Sequence, residues 1–168
     1  LEDMERYTLA DYKEDQNKYL YRVNYCLPLG FMLPEGFEDN LSLDGNNPFS
    51  IQNQFAELAT GITDMFTYLS ASTSGKTVTI DVDEESDVYV YVTTYVDSIS
   101  YSAYNDENGF VGSDSFSGLE HRQIVHLGKM PAGTSITVNT SDNDASTLQL
   151  YAYNFHQDRF EEIYQKLE

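Results

Sequence analysis

The chain of 168 residues has no tryptophan and a single cysteine, Cys26, so it cannot form an internal disulfide bond. Cys26 lies between Tyr25 and Leu27 with no base nearby, and we interpret it as a small buried residue rather than a nucleophile. No apolar run approaches the roughly 18 residues that a membrane-spanning helix needs. The length and the 40% hydrophobic content indicate one water-soluble domain.

Positive charge is scarce as well. Nine lysines and arginines stand against 28 aspartates and glutamates, which gives a net charge of -19 at pH 7. Such a charge repels phosphate backbones and anionic lipid headgroups. We therefore expect no nucleic acid partner and no direct binding to an anionic membrane surface.

The usual catalytic patterns are absent from the sequence. The three histidines are His121, His126 and His156, and none lies in a Gly-x-Ser-x-Gly setting. A triad assembled from distant residues stays open. With so many acidic residues, some carboxylate pair will have the spacing of a glycosidase by chance, so no pair is selected. We expect this chain not to be an enzyme.

Two acidic clusters are candidates for calcium, because calcium favours clustered oxygen ligands. The first comprises Asp81, Asp83, Glu84, Glu85 and Asp87, and the second comprises Asp142 and Asp144. Neither has the spacing of an EF-hand loop. Acidic turns also solvate loops and block edge-to-edge pairing of strands. We expect no cofactor, with calcium as the alternative.

The clearest structural signal is an alternation with a period of two. Over residues 88–96, valines alternate with Tyr89, Tyr91 and Tyr95, and over residues 148–153 aliphatic residues alternate with Gln149, Tyr151 and Tyr153. This pattern is typical of antiparallel strands with one buried face. Further strands are predicted over residues 19–24, 77–82, 99–104, 123–127 and 135–139.

Two helices are also predicted. Asn47 is a good N-cap, Pro48 suits the first helical position, and Gly61 is a stop signal, so a helix is expected near residues 47–60. A short C-terminal helix is expected over residues 157–167. The sequence thus predicts a mainly β fold, an antiparallel and jelly-roll-like β-sandwich in a single domain at residues 19–168. Residues 1–18 are expected to form a tether or a frayed segment.

The tyrosines of the strands are the candidate ligand-binding residues. Aromatic rings on an exposed β face stack on sugar rings, and the tyrosine hydroxyl adds a hydrogen-bonding group. The candidates for such a glycan site are Tyr89, Tyr91, Tyr95, Tyr151 and Tyr153. The alternative is that these rings pack beneath the helix or the second sheet.

Two segments carry a family resemblance. Residues 27–32 (LPLGFM), followed by residues 47–53 (NPFSIQN), resemble the C-terminal extracytoplasmic region of the YfhO family of bacterial membrane proteins. The resemblance extends over roughly residues 19–167, and the Asn-Pro-Phe-x-x-Gln-Asn stretch is its most specific part. In physical terms, Asn47 caps the helix, Phe49 packs at its start, and Gln52 and Asn53 can bond the preceding loop.

The resemblance implies a setting for the chain. Members of the family are similar to multi-pass glycosyltransferases that take a sugar from a polyprenyl-phosphate carrier to modify a cell-envelope polymer such as a teichoic acid. Their catalytic residues would lie in the membrane part, so none is assigned here. This chain would be an accessory domain on the extracytoplasmic face of the cell membrane. The resemblance implies two partners for this domain. One is the membrane-embedded core of the same full-length protein, and the other, if the domain binds a ligand, is a glycan or cell-envelope polymer.

Two other hypotheses remain open at this point. The chain could be a free-standing carbohydrate-binding module of a secreted protein, which the tyrosine-rich strand faces favour. It could also be a hydrolase whose site is assembled from distant residues. A cleft with convergent catalytic groups would favour the hydrolase.

Overall fold

The computed structural model describes residues 7–13, 18–23, 25, 32–44, 47–107, 109–119 and 122–168. These residues form eleven strands and three helices: β1 (Tyr7–Lys13), β2 (Lys18–Val23), α1 (Phe37–Asn40), α2 (Pro48–Thr60), β3 (Phe66–Leu69), β4 (Ala71–Ser74), β5 (Thr77–Val82), β6 (Ser86–Val92), β7 (Ser98–Asn105), β8 (Gly109–Ser117), β9 (Gln123–Met130), β10 (Thr134–Asn139), β11 (Leu150–Phe155) and α3 (Gln157–Leu167). Cys26, His121 and residues 27–31 of the LPLGFM segment lie outside the described residues.

Nine of these strands form a sandwich of two antiparallel sheets. The five-stranded sheet has the order β4-β5-β10-β7-β8, and the four-stranded sheet has the order β3-β11-β6-β9. When β3 and β5 to β11 are counted as strands one to eight, the sheets read 2-7-4-5 and 1-8-3-6, which is the strand order of a jelly roll. The prediction of a mainly β, jelly-roll-like sandwich is confirmed.

The core between the sheets is built from the predicted aliphatic faces. Val88, Val90 and Val92 of β6 are at most 1% exposed, and they pack in one cluster with Ile80 of β5 and Ile136 of β10. Each alternating run therefore places its branched aliphatic residues inward, where β-branched side chains pack well on a pleated surface.

The strand over residues 88–96 ends earlier than the alternation predicts. Strand β6 stops at Val92, because the amides of Thr93 and Thr94 both bond the carbonyl of Gln149 instead of continuing a ladder. Tyr95 consequently lies in the loop after β6. The prediction that it belongs to the tyrosine face of the strand is wrong.

Both longer helices have the predicted bounds. The Asn47 side chain accepts a hydrogen bond from the amide of Phe49 at 3.0 Å, and Gly61 ends α2 with a φ of 75°, which glycine adopts without steric cost. Helices α2 and α3 pack on the outer face of the four-stranded sheet and form a third layer, here called the helical layer. Among the described residues, no helix is long and apolar enough to cross a membrane.

Other segments differ from the sequence prediction. Residues 7–13, expected to be a tether or frayed segment, form strand β1, which pairs with β2 in an antiparallel hairpin. Strands β3, β4 and β8 were not predicted. The longest of them, β8, is a serine-rich edge strand that pairs only with β7, so neighbouring backbone rather than its own sequence defines it.

Candidate functional site

The outer face of the four-stranded sheet, here called the aromatic face, carries a row of rings across all four strands. Tyr68 of β3 lies opposite Tyr153 of β11, Tyr153 opposite Tyr89 of β6, and Tyr89 opposite His126 of β9. Directly opposed side chains on one face are close enough to interact. The Tyr68 and Tyr153 rings meet edge to face at 5.7 Å, and the Tyr89 and His126 rings stack at 4.3 Å.

A second and a third row flank this one. On one side Phe66, Phe155, Asp87 and Lys129 follow each other across the strands, and on the other side Tyr151, Tyr91 and Ile124 do so. The aromatic face is therefore rich in rings toward β3 and β11. It gains charged and imidazole groups toward β9, the edge strand on the opposite side from β3.

The helical layer covers the middle of the aromatic face. Phe49 of α2 is 1% exposed and lies 4.7 Å from the Phe66 ring and 4.6 Å from the Tyr153 ring, centroid to centroid. Tyr153 and Tyr91 are only 9% and 5% exposed. The interpretation of these two tyrosines as exposed stacking rings is wrong, because they pack beneath the helical layer.

The other three candidate tyrosines have different surroundings. Tyr89 is half-buried, while Tyr151 is 46% exposed on the aromatic face and Tyr95 is 68% exposed in its loop. Of the five candidates, Tyr89 alone lines a cleft that opens beside β9. A ligand-binding role for Tyr89, Tyr95 or Tyr151 stays a prediction.

This cleft, here called the β9 cleft, has a volume of about 1120 Å³ and lies along the free edge of β9. Its lining joins three parts of the fold. The helical side contributes Tyr25, Gln52, Gln157 and Phe160, the aromatic face contributes Asp87, Tyr89, Ile124, His126 and Lys129, and the five-stranded sheet contributes Tyr101, Asp114 and Phe116. Rings and planar hydrogen-bonding groups thus face the same space.

An aspartate–histidine pair stands on the aromatic side of the cleft. Nε2 of His126 lies 2.5 Å from Oδ1 of Asp87. Since an ionised carboxylate only accepts, Nε2 donates this hydrogen bond and the imidazole is held flat against Tyr89. The amide of Asp87 in turn bonds Oδ1 of Asn154 at 3.0 Å, which fixes the backbone beneath the pair.

The far side of the cleft is formed by the five-stranded sheet. The Tyr101 hydroxyl donates to the Leu127 carbonyl of β9 at 2.9 Å, so it joins the two sheets at their open edge. The Tyr101 ring is nearly parallel to that of Phe116, 6.4 Å away. Burial, and secondarily the carboxylate of Asp114, raises the pKa of Tyr101, so this hydroxyl remains a donor at neutral pH.

Tyr25 is anchored to α3 beside the cleft. Its hydroxyl donates to Oε1 of Glu161 at 2.8 Å, and Nε2 of Gln157 donates to the same two oxygens at 3.1 Å each. The Tyr25 ring also contacts Phe160 and Tyr164 edge to face. This cluster holds Tyr25 against the helical layer.

Lowering the pH is expected to loosen this anchor. The hydrogen bond from Tyr25, and then that from Gln157, lowers the pKa of Glu161. A carboxyl with a lowered folded-state pKa contributes stability above its unfolded pKa of about 4.3 and loses it as the pH falls through the folded value. The NMR ring signals of Tyr25 should therefore shift toward undocked values as the pH falls below about 4.3.

The matched control for this titration is Glu161→Gln. The amide oxygen of glutamine still accepts from Tyr25, but it does not titrate in this range. The ring signals of Tyr25 in this variant should stay constant over the same pH range. The same shift in both proteins would contradict a role for Glu161.

Most of the Asn-Pro-Phe-x-x-Gln-Asn stretch is occupied by structural contacts. Asn47 caps α2 and also donates to the Tyr153 hydroxyl at 2.7 Å, and Phe49 is buried. Asn53 bonds the backbone of Phe66 in β3, and not the preceding loop as expected. Gln52, in contrast, is exposed and lines the β9 cleft.

Sequence reasoning missed most of the cleft residues. Gln52 was visible in the sequence as part of the motif, and His126 was visible as a histidine within a predicted strand. Gln157, Tyr101 and Asp114 carried no such signal, because only the packing of the sheets and α3 brings them together.

No metal site stands out in the described part of the chain, where no three histidine, cysteine or acidic side chains converge. The carboxylate of Asp142 accepts the amides of Asp144 and Asp97, and these hydrogen bonds, the first being the stronger cause, lower its pKa. Asp87 is bonded to His126. These two members of the candidate calcium clusters therefore have structural partners.

The two histidines that the structure describes have different neighbours. The described lining of the β9 cleft, which includes His126, contains no serine, threonine or cysteine. His156 lies at the start of α3, where its Nε2 is 2.7 Å from the Thr67 hydroxyl. The described lining of the cleft thus combines aromatic rings with amide, imidazole and carboxylate groups.

No protein-family model matches the chain, and no curated protein matches it. Similar solved structures include a predicted alpha-L-fucosidase from Bacteroides thetaiotaomicron, with a TM-score of 0.46 and 10% identity over 66% of this chain and 27% of that chain. The low-affinity xylan-binding module CBM86 from Roseburia intestinalis has a TM-score of 0.34 and 11% identity over 57% of this chain and 93% of that chain. The cupin domain of Schizosaccharomyces pombe Cnp3 has a TM-score of 0.23 and 11% identity over 93% and 88%. The chain spans about a quarter of the length of the first of these proteins.

Proposed function

We propose that this domain binds a glycan without acting on it, and that the β9 cleft is the binding site. The observation that carries the proposal is the combination of Tyr89 stacked on His126 with Gln52 and Gln157 in one open cleft. Apolar ring faces contact the C–H surfaces of a sugar, and amide and imidazole groups bond its hydroxyls. The described lining contains no serine, threonine or cysteine, and its two carboxylates, Asp87 and Asp114, belong to different sheets.

A double substitution tests the site. Gln52 and His126 are both exposed, so Gln52→Ala with His126→Ala should change the free energy of unfolding by less than about 1 kcal/mol. Removal of two hydrogen-bonding groups from the cleft should weaken glycan binding roughly tenfold or more. Binding is measured on a glycan array and then by calorimetry with the best ligand.

Tyr104→Ala is the matched control for this test. Tyr104 is 57% exposed and lies on the outer face of the five-stranded sheet, where its ring contacts Phe110. Its removal should leave glycan binding unchanged. The proposal fails if the double variant binds as tightly as the parent protein, or if Tyr104→Ala has the same effect.

The setting of the domain is a second proposal, and it is supported by the sequence resemblance to the YfhO family. In this setting the domain is an accessory part of a glycosyltransferase-like membrane protein on the extracytoplasmic face, and its glycan belongs to the cell envelope. The full gene should then encode several membrane spans upstream of this chain. A gene without such spans would instead favour a free-standing, secreted carbohydrate-binding module.

A further inference from the structure

The lining of the β9 cleft falls into two groups on opposite sides of one strand. Tyr89 and His126 belong to the aromatic face, which is the outer face of the four-stranded sheet. Tyr101 and Asp114 are opposed residues on β7 and β8 of the other sheet, on the face that points toward β9. The cleft therefore passes around the free edge of β9 and does not lie on one flat face.

The backbone of β9 is irregular where the cleft passes around it. The register between β6 and β9 shifts at Val88 and Tyr89, and Gly128 adopts a φ of 98° beside the shift. Such a bulge bends an edge strand and leaves space that a side chain would occupy. Tyr101 ties the sheet edges together through the Leu127 carbonyl, so the cleft has a fixed floor.

The two groups approach β9 from different sides. Tyr89 and His126 lie on the outer face of the four-stranded sheet, whereas Tyr101 reaches the Leu127 carbonyl of β9 from the other sheet. Each group offers a ring and a polar side chain, namely Tyr89 with His126 and Tyr101 with Asp114. The total volume of about 1120 Å³ also lies above the usual range of ligand pockets, which is about 300–1,000 Å³.

The charges in the cleft disfavour an acidic ligand. Asp87 and Asp114 stand on the two sides, and the lysine of the lining, Lys129, is the cross-strand neighbour of Asp87. The net charge of -19 adds a long-range repulsion for any polyanion. A neutral chain escapes this repulsion, and an amine would be attracted.

We infer that the β9 cleft binds a chain of linked sugars that is uncharged or bears amines, with one unit against Tyr89 and His126 and another against Tyr101 and Asp114. The inference rests on the proposed glycan-binding function and adds the length and the charge of the ligand. In this arrangement the sugar chain bends around the edge of β9.

The test uses the whole domain and an array of oligosaccharides from monomer to hexamer in neutral, aminated and uronic-acid series, with calorimetry on those that bind. Affinity should rise at least tenfold from the monomer to a chain that spans both groups, and the acidic series should bind most weakly. His126→Ala should weaken monomer and chain alike, whereas Asp114→Ala should reduce only the gain from chain extension.

Asp114→Asn isolates the effect of charge. It should weaken binding of aminated chains about threefold to tenfold at low salt and leave neutral chains within about twofold. Asp106→Asn makes the same charge change in the exposed turn between β7 and β8 and is the matched control. It should change the binding of neither aminated nor neutral chains. Equal affinity for monomer and hexamer, or tightest binding of the acidic series, would overturn the inference while the glycan function stands. Absence of binding in all three series would overturn the glycan function itself.

Discussion

Phe49→Ala should lower the free energy of unfolding by about 3–5 kcal/mol, which is the usual range for removing a buried phenylalanine ring. The Phe49 side chain is 1% exposed and packs between Phe66 and Tyr153, with Tyr89 at 6.3 Å. Its loss leaves a cavity between the helical layer and the aromatic face. The total free energy of unfolding of a folded domain is about 5–15 kcal/mol, so Phe49→Ala would remove a large part of it.

Urea denaturation followed by circular dichroism measures this change. The matched control is Phe49→Leu, which fills most of the same space and should cost roughly 1 kcal/mol. Phe49 also lines the β9 cleft, so Phe49→Ala should weaken glycan binding at temperatures where the protein is still folded. A loss of stability below about 1 kcal/mol would show that the helical layer does not depend on this ring.

Asn53→Ala should lower the free energy of unfolding by about 2–3 kcal/mol, because one side chain serves two backbone groups at once. The amide nitrogen of Asn53 donates to the Phe66 carbonyl at 2.7 Å, and its oxygen accepts from the Phe66 amide at 2.8 Å. Strand β3 is one of the two edge strands of its sheet, so Asn53 takes the place of a missing neighbouring strand. Alanine would leave both backbone groups without this partner.

One further variant of Asn53 separates the size of the side chain from its hydrogen bonding, and a variant of Gln54 is the control. Asn53→Asp keeps the size of the side chain but places a carboxylate against the Phe66 carbonyl, so it should be at least as destabilising as alanine at neutral pH. Gln54→Ala, one position along α2, removes an exposed hydrogen bond to the Ser42 amide and should cost less than about 1 kcal/mol. Equal losses for Asn53→Ala and Gln54→Ala would contradict the proposed role of Asn53.

Local signals explain why much of the fold could be predicted. Asn47, Pro48 and Gly61 determine the ends of α2 through capping and backbone conformation, which depend on neighbouring residues alone. The alternation in β6 and β11 likewise determines which side chains share a face. The jelly-roll class follows from many short strands with one apolar face each.

Long-range packing explains what could not be predicted. The alternation places Tyr91 and Tyr153 on one face, but only the position of the helical layer decides that they are buried while Tyr151 is not. The β9 cleft combines residues from both sheets and from α2 and α3. No motif or spacing in the sequence indicates that these residues meet. His126 and Asp114 therefore carried no clear functional signal in the sequence.

The strand order of the jelly roll also governs how this domain must fold. Strand β11 lies between β3 and β6, so the four-stranded sheet lacks an interior strand until the last strand of the sandwich has been synthesised. Helix α3, which completes the helical layer, follows later still. Topologies dominated by such distant pairings fold in roughly milliseconds to seconds. On the ribosome, the apolar rings of the aromatic face would therefore stay uncovered until after β11 and α3 emerge.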